Sequence, residues 1–392
     1  MDKKYQKTVY ACFVGYIVQA IVNNFVPLLF LTFHKTYGIP LSEITFLVTI
    51  NFAIQLCVDL VSVTFVDRIG YRASMVLAHA TAAAGLILLA VLPGLLPNPY
   101  MGILIAVVFY AIGGGLLEVI VSPVVEACPT PNKEAAMSLL HSFYCWGHVG
   151  VVLISTVFFA VFGIANWKIL AVIWALVPIV NMIVFTKVPI VSLIEDGEKG
   201  MSLGSILKTK LFWVFLLLMI CSGACEQAVS QWASTFAEQG LGVSKTIGDL
   251  TGPMFFAIMM GTSRAIYGKY GEKMPLKKFI IGSGLLCLVS YLVISLSPVP
   301  ALGLIGCGIC GLSVGILWPG TFSLASASMP AGGTALFALL ALGGDVGCSL
   351  GPTYVGMISG VLGNDLRKGI LCAVIFPVLL IGGLLMERRC RK

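Results

Sequence analysis

Apolar runs long enough to cross a bilayer recur from one end of this chain to the other, each closed by a short polar stretch. A bilayer core takes about 20 apolar residues per helix, somewhat more when the helix tilts. Spans are expected near 8–33, 42–66, 73–96, 100–125, 135–162, 167–187, 209–237, 248–268, 276–297, 300–327, 332–360 and 368–387. Turn signals stand between them: Gly38–Pro40, Pro97–Pro99, Pro129–Pro131, Pro298–Pro300 and Gly363–Asn364. The first run, Thr8–Phe33, is too long for the apolar core of a signal peptide and lacks a small-residue cleavage site, so it reads as the first span. Only 10% of the residues are charged. A soluble domain needs roughly 25% to face water, which excludes that class. The expected fold is an all-α, integral, multi-pass membrane protein of twelve transmembrane helices.

Charge placement tests that count. Of the 24 Lys and Arg, Lys35, Lys168, Lys245, Arg367 and Lys368 fall on one side, Arg264 stands near an inner helix end, and the rest share the side of both termini. Basic residues concentrate in cytoplasmic loops, so both termini are expected in the cytoplasm, with the plasma (inner) membrane as location. The net charge of +7 then reflects loops facing anionic lipid rather than nucleic acid. Most of the 12 cysteines lie inside apolar runs, where cysteine acts as a small hydrophobe. The paired spacings of zinc sites are missing, so neither a metal nor another cofactor is expected.

The chain also echoes itself. Asp67–Arg72, between the second and third spans, is answered by Gly268–Lys273 between the eighth and ninth. Gly147-His148-Val149-Gly150 is answered by Gly344-Asp345-Val346-Gly347. With the long polar break in the middle, this predicts two pseudo-symmetric six-helix bundles: residues 1–187, a cytoplasmic linker at 188–208, and 209–392 with a short cytoplasmic tail. Repeated halves around a central site are a recurrent carrier design. The chain is expected to work as a monomer.

Ionisable and amide side chains at membrane depth are costly, which makes each a functional candidate. Helical spacing groups them. Gln19 and Asn23 share a stripe of the first span; Asn51, Gln55 and Asp59 share one of the second; Glu118 and Ser122 share a face of the fourth. His141, Tyr144 and His148 share a face of the fifth, and Glu226, Gln227, Ser230 and Gln231 form a broad polar face on the seventh, followed by Trp232. Interhelical hydrogen bonding accounts for some of these amides, and packing for His79, alone on its span. Glu118, Glu226 and Asp345 have no basic neighbour on their own spans. Such a carboxyl exchanges a proton near neutral pH, which suits proton coupling. Trp146, Trp232, Trp318 and Phe322 offer flat apolar faces suited to a sugar ring. Asp59, Glu126 and Arg264, together with Asp67, Arg68 and Arg72 of the first repeated loop, are gating candidates.

The loop Asp67-Arg68-Ile69-Gly70-Tyr71-Arg72 resembles the cytoplasmic loop motif of the major facilitator superfamily, with Val63 in place of its first glycine. Gly114-Gly115-Leu116-Leu117-Glu118-Val119-Ile120-Val121-Ser122-Pro123 is similar to the Gly-x-Leu-Glu-x-x-x-Asn-Pro signature of its fucose–galactose–proton symporter family. His141-Ser142-Phe143-Tyr144-Cys145-Trp146-Gly147 and Gly315–Ser323 resemble further segments of that family. The resemblance implies a carrier working by alternating access, with proton-coupled uptake of a monosaccharide or similar small polar solute. Glu118 would be the protonatable acid, and His141 and Tyr144 would face the solute. The family's acid of the first span is replaced here by amides near Asn23 and Asn24. Sodium in place of protons fits the same oxygen atoms. A drug or metabolite efflux antiporter and a membrane enzyme using His141, His148 and Glu118 are the alternatives. Two other patterns are declined. Gly347-Cys348-Ser349-Leu350-Gly351 lies within a span rather than at a strand–turn–helix elbow, and Gly306–Gly311 follows no strand.

Overall fold

The computed structural model describes residues 3–129, 133–190, 203–270, 275–329 and 333–390. Among these, the secondary structure is helical throughout. In hydrocarbon, water cannot pair with backbone N–H and C=O groups, and a helix pairs them within itself. In the first half lie α1 (Lys3–Asn24, extended by a 3-10 turn Val26–Leu29 and a helix Phe30–Tyr37), α2 (Leu41–Ile69), α3 (Tyr71–Leu95), α4 (Pro99–Ala127), α5 (Lys133–Phe162) and α6 (Trp167–Phe185). In the second lie α7 (Lys210–Ser230), α8 (Lys245–Asp249 and Phe255–Tyr270, joined by a π-helical turn Leu250–Met254), α9 (Leu276–Leu296), α10 (Pro300–Val314 and Leu317–Ser328), α11 (Gly333–Val361) and α12 (Leu366–Cys372 and Ile375–Cys390). Ten of these twelve are long and apolar enough to cross a membrane by composition. The remaining two, α8 and α11, carry embedded polar groups such as Arg264 and Asp345.

The turn residues act as their chemistry dictates. Gly38 ends the α1 extension in a left-handed conformation at φ 67°, where glycine lacks the Cβ that would clash. Asn98 caps α4 by accepting from the Tyr100 N–H at 3.0 Å, with Pro99 in the first turn, where a missing N–H costs nothing.

Contacts divide the chain into two compact units, 1–195 and 196–392. In the first, α1 packs on α4, α5 and α6, α2 on α4, and α3 on α4 and α6. In the second, α7 packs on α10, α11 and α12, α8 on α10, and α9 on α10 and α12. Each pairing recurs six helices later, so the sequence echoes reflect a repeated bundle.

Small residues set the closest approaches. A Cβ on Gly113 of α4 would lie 2.6 Å from the Ala78 carbonyl oxygen of α3. Along α11, a Cβ on Gly347 would lie 2.0 Å from the Ile220 carbonyl oxygen of α7, and one on Gly351 2.5 Å from that of Ala224. The hydrolase-like Gly-x-Ser-x-Gly pattern is therefore a helix-contact stripe. Gly306, Gly308 and Gly311 do the same work, seating α10 on Ile294, Phe255 and Phe256.

His79 shows how a polar residue locks one bundle. It is fully buried, with Nδ1 2.7 Å from the Met75 carbonyl and Nε2 2.7 Å from Asn181 Nδ2. A carbonyl only accepts, so Nδ1 donates and Nε2 accepts. Asn181 Nδ2 also donates to the Ala11 carbonyl at 3.0 Å, which joins α1, α3 and α6.

Candidate solute and proton site

The polar cluster of the first unit is organised by α1. Tyr16, Gln19 and Asn23 follow each other at i, i+3 and i+7, so they lie along one stripe. Gln19 Nε2 donates to Glu118 Oε2 of α4 at 2.9 Å. Tyr16 Oη lies 2.9 Å from Ser122 Oγ, one turn below Glu118, and its ring lies 5.2 Å from that of His141 on α5. Asn23 Oδ1 accepts from Gln55 Nε2 at 2.8 Å and from Asn51 Nδ2 at 3.4 Å, both on α2. Asn24 Nδ2 donates to the Ala20 carbonyl at 2.9 Å and reaches Tyr144 Oη at 3.4 Å. Gly115 lets α2 come this close, since a Cβ there would stand 3.0 Å from Gln55 Cα. The NH₂ groups of Gln19, Asn24, Asn51 and Gln55 are engaged internally, whereas Gln19 Oε1 and Asn51 Oδ1 are buried with no donor among the described residues. A buried acceptor left so costs about 1–3 kcal/mol.

The expected face of α5 is brought together in part. His141 is exposed and Tyr144 half-buried, both beside α1, while His148 is buried two turns on. It follows Gly147, where a Cβ would lie 2.9 Å from Ala20 Cβ. Trp146 is exposed on the opposite side of α5, along the apolar stripe of Leu153 and Val157.

In the second unit a chain of amides runs up α7. Gln231 Nε2 donates to Gln227 Oε1 at 3.0 Å, and Gln227 Nε2 reaches Glu226 Oε1 at 3.3 Å. Glu226 Oε2 also lies 3.6 Å from Arg264 Nη2 of α8. Glu226 has no basic neighbour on its own span, yet it is not the unpaired carboxyl expected from that, because its cation comes from another helix. Arg264 also donates from Nε to the Gly315 carbonyl at 3.3 Å. In an α-helix that oxygen would accept from residue 319, but Pro319 has no N–H. The arginine supplies the missing donor at the break in α10.

Trp232 is fully buried, and its Nε1 donates to the Pro352 carbonyl of α11 at 2.9 Å, so it packs α7 against α11. Trp318 and Phe322 are half-buried, edge to face with centroids 6.2 Å apart, and the Trp318 ring fits over Gly344. Asp345, the next residue, is buried.

A model of the Major Facilitator Superfamily matches residues 11–352. The chain belongs to the Major Facilitator Superfamily. Its fold is that of solved transporters of low sequence identity. A D-xylose–proton symporter superposes with a TM-score of 0.79 at 14% identity, covering 98% of this chain and 97% of that one. A bacterial homologue of the human lysosomal transporter Spinster, inward-facing and occupied, gives 0.77 at 14% identity over 99% and 98%. The E. coli fucose–proton symporter gives 0.68 at 15% over 98% and 99%. A search of curated protein sequences finds no relative of the chain.

Among the gating candidates of this facilitator, Arg72 donates to the carbonyls of Phe185 and Val188, both at 2.8 Å. It thereby closes the C-terminus of α6, where carbonyls lack helical donors and a cation is favoured. Asp59 is half-buried on α2, one turn beyond Gln55. The side chains of Asp67, Arg68 and Glu126 lie outside the described residues, as does most of the 188–208 linker. One polar group was not anticipated. Beyond α7 the chain breaks at Gln231–Trp232 and passes through a π-helical turn, Phe236–Gly240. There Lys245 Nζ lies 3.0 Å from the buried Asp249 and 3.4 Å from Glu238, and Ser234 Oγ donates to Asp249. The i,i+4 spacing of Lys245 and Asp249 was the readable signal.

Proposed function

We propose that this facilitator is a proton-coupled uptake carrier for a monosaccharide or similar small polar solute, and not an enzyme. It acts as a monomer in the plasma membrane with both termini cytoplasmic. The observation that carries the reading is the Gln19–Glu118 hydrogen bond set among the amides of Asn23, Asn51 and Gln55. No Lys or Arg stands between residues 73 and 132 or between 134 and 167, so α4 and α5 offer this acid no cation within the bilayer. Amide and carboxylate oxygens accept hydroxyl protons. The likeness in fold to the D-xylose–proton and fucose–proton symporters supports the same reading.

A thermal-shift screen of the purified protein at two pH values tests it. Monosaccharides are expected to raise the melting temperature, by an amount that differs between the two pH values. Stabilisation by lipophilic cations alone would turn the assignment to an efflux antiporter.

A further inference from the structure

The buried acceptor on Gln19 has a consequence for how proton and solute communicate, given the reading of Glu118 as the coupling acid. We propose that Gln19 is the positioning residue of that coupling: the charge on Glu118 orients its amide, which presents an acceptor while the acid is ionised and a donor once the acid is protonated. An ionised carboxylate only accepts hydrogen bonds. It therefore holds the Gln19 NH₂ toward itself, as the 2.9 Å contact shows, and turns Oε1 away. That oxygen is buried with no donor among the described residues. Two groups can satisfy it. One is a solute hydroxyl, with the amide as it stands. The other is Glu118 itself: when the carboxylate takes up one proton, its new O–H can donate to Oε1 after the amide reverses. The reversed amide then points its NH₂ where Oε1 had been. The solute thus meets opposite hydrogen-bonding partners before and after protonation. A hydroxyl serves in both states, a carboxylate only in the second and an ammonium group only in the first.

Among the other titratable groups on the helices packed against α4, α1 included, are Tyr16, Glu43, Asp59, His79, His141, Tyr144 and His148. His79 is engaged by Met75 and Asn181, and Tyr16 by Ser122. The Glu118 signal must therefore be isolated from that of Asp59 and the histidines.

Infrared difference spectra of the reconstituted protein, stepped between about pH 4 and pH 9, do so without any solute. The carboxylic C=O band missing from Glu118→Gln belongs to Glu118. The glutamine amide band missing from Gln19→Leu belongs to Gln19. In the unmodified protein the two bands should change in step. In Gln19→Leu the Glu118 band should move to higher wavenumber, because its O–H has lost an acceptor. Asn51→Leu removes an equally buried amide from the same cluster and should leave the band in place. An amide band indifferent to pH, or equal displacement of the Glu118 band in Gln19→Leu and Asn51→Leu, overturns the proposal. Should Gln19→Leu fail to fold, the near-isosteric Gln19→Met takes its place. If no Glu118 band titrates at all, the coupling role of Glu118 falls and this proposal with it. If Glu118 titrates and only the Gln19 arm fails, the carrier reading stands.

Discussion

Arg264 binds Glu226 and the Gly315 carbonyl for two different reasons, and the difference can be measured. To Glu226 it is a counter-ion at 3.6 Å; to the Gly315 carbonyl it is the donor that Pro319 lacks. Removing one member of a buried pair leaves the other charge without compensation, at a cost of about 3–5 kcal/mol when burial is complete. The Arg264 side chain is 18% exposed, which moves the expectation for Arg264→Met to about 3 kcal/mol, the low end of that range. The double variant Arg264→Met/Glu226→Met should melt above Arg264→Met alone, since neither charge is then stranded. A double variant that melts no higher than Arg264→Met would show that no stranded charge remains to be relieved, so that the carbonyl bond, not the ion pair, dominates. This pair also marks the limit of sequence reading at the residue scale. Glu226 and Gln227 stood out as polar groups in an apolar run, but their partner lies on the next helix, and one-dimensional spacing carries no record of it. The Gln19–Glu118 bond was hidden likewise, although both residues had been singled out.

At the scale of elements, the apolar runs and turn residues made the helices legible. Asn98, Pro99 and Gly38 terminate helices where their chemistry predicts. The break at Gln231–Trp232 was not legible, because no proline or glycine marks it. The π-helical turns do carry breakers, Gly240 at the end of Phe236–Gly240 and Gly252-Pro253 within Leu250–Met254, which a reading by apolar length passed over. The α7–α11 contact rests on glycines that sequence patterns alone could have assigned to catalysis. Its physical role predicts a sharp contrast along one helix. At Gly347 any side chain meets the Ile220 carbonyl at 2.0 Å, so Gly347→Leu should prevent recovery of monodisperse protein by size-exclusion chromatography. Leu350, one turn away and 43% exposed, should accept alanine with a change within about 0.5 kcal/mol. Equal tolerance at both positions would mean that α7 and α11 do not pack this closely.

Over the whole molecule, the repeat was readable as echoes in sequence, and its physical content is that the same helix pairs pack in each unit. Their polar contents nevertheless differ. In the second unit two of the embedded acids, Glu226 and Asp249, are matched by Arg264 and Lys245. In the first, Glu118 is held by an amide. An amide adds no charge of its own to the carboxylate it steadies, and on the proposed coupling each proton taken up with a neutral sugar carries net charge through the cycle. On that proposal transport draws on voltage as well as on the pH gradient, at about 2.3 kcal/mol per elementary charge for each 100 mV. On a solid-supported membrane, adding a transported monosaccharide should evoke an inward current that Glu118→Gln abolishes. A silent electrode during demonstrable uptake would mean that a compensating ion travels too. On the reading proposed above, a carboxylate held by an amide makes the resting potential of the cell part of the fuel for transport.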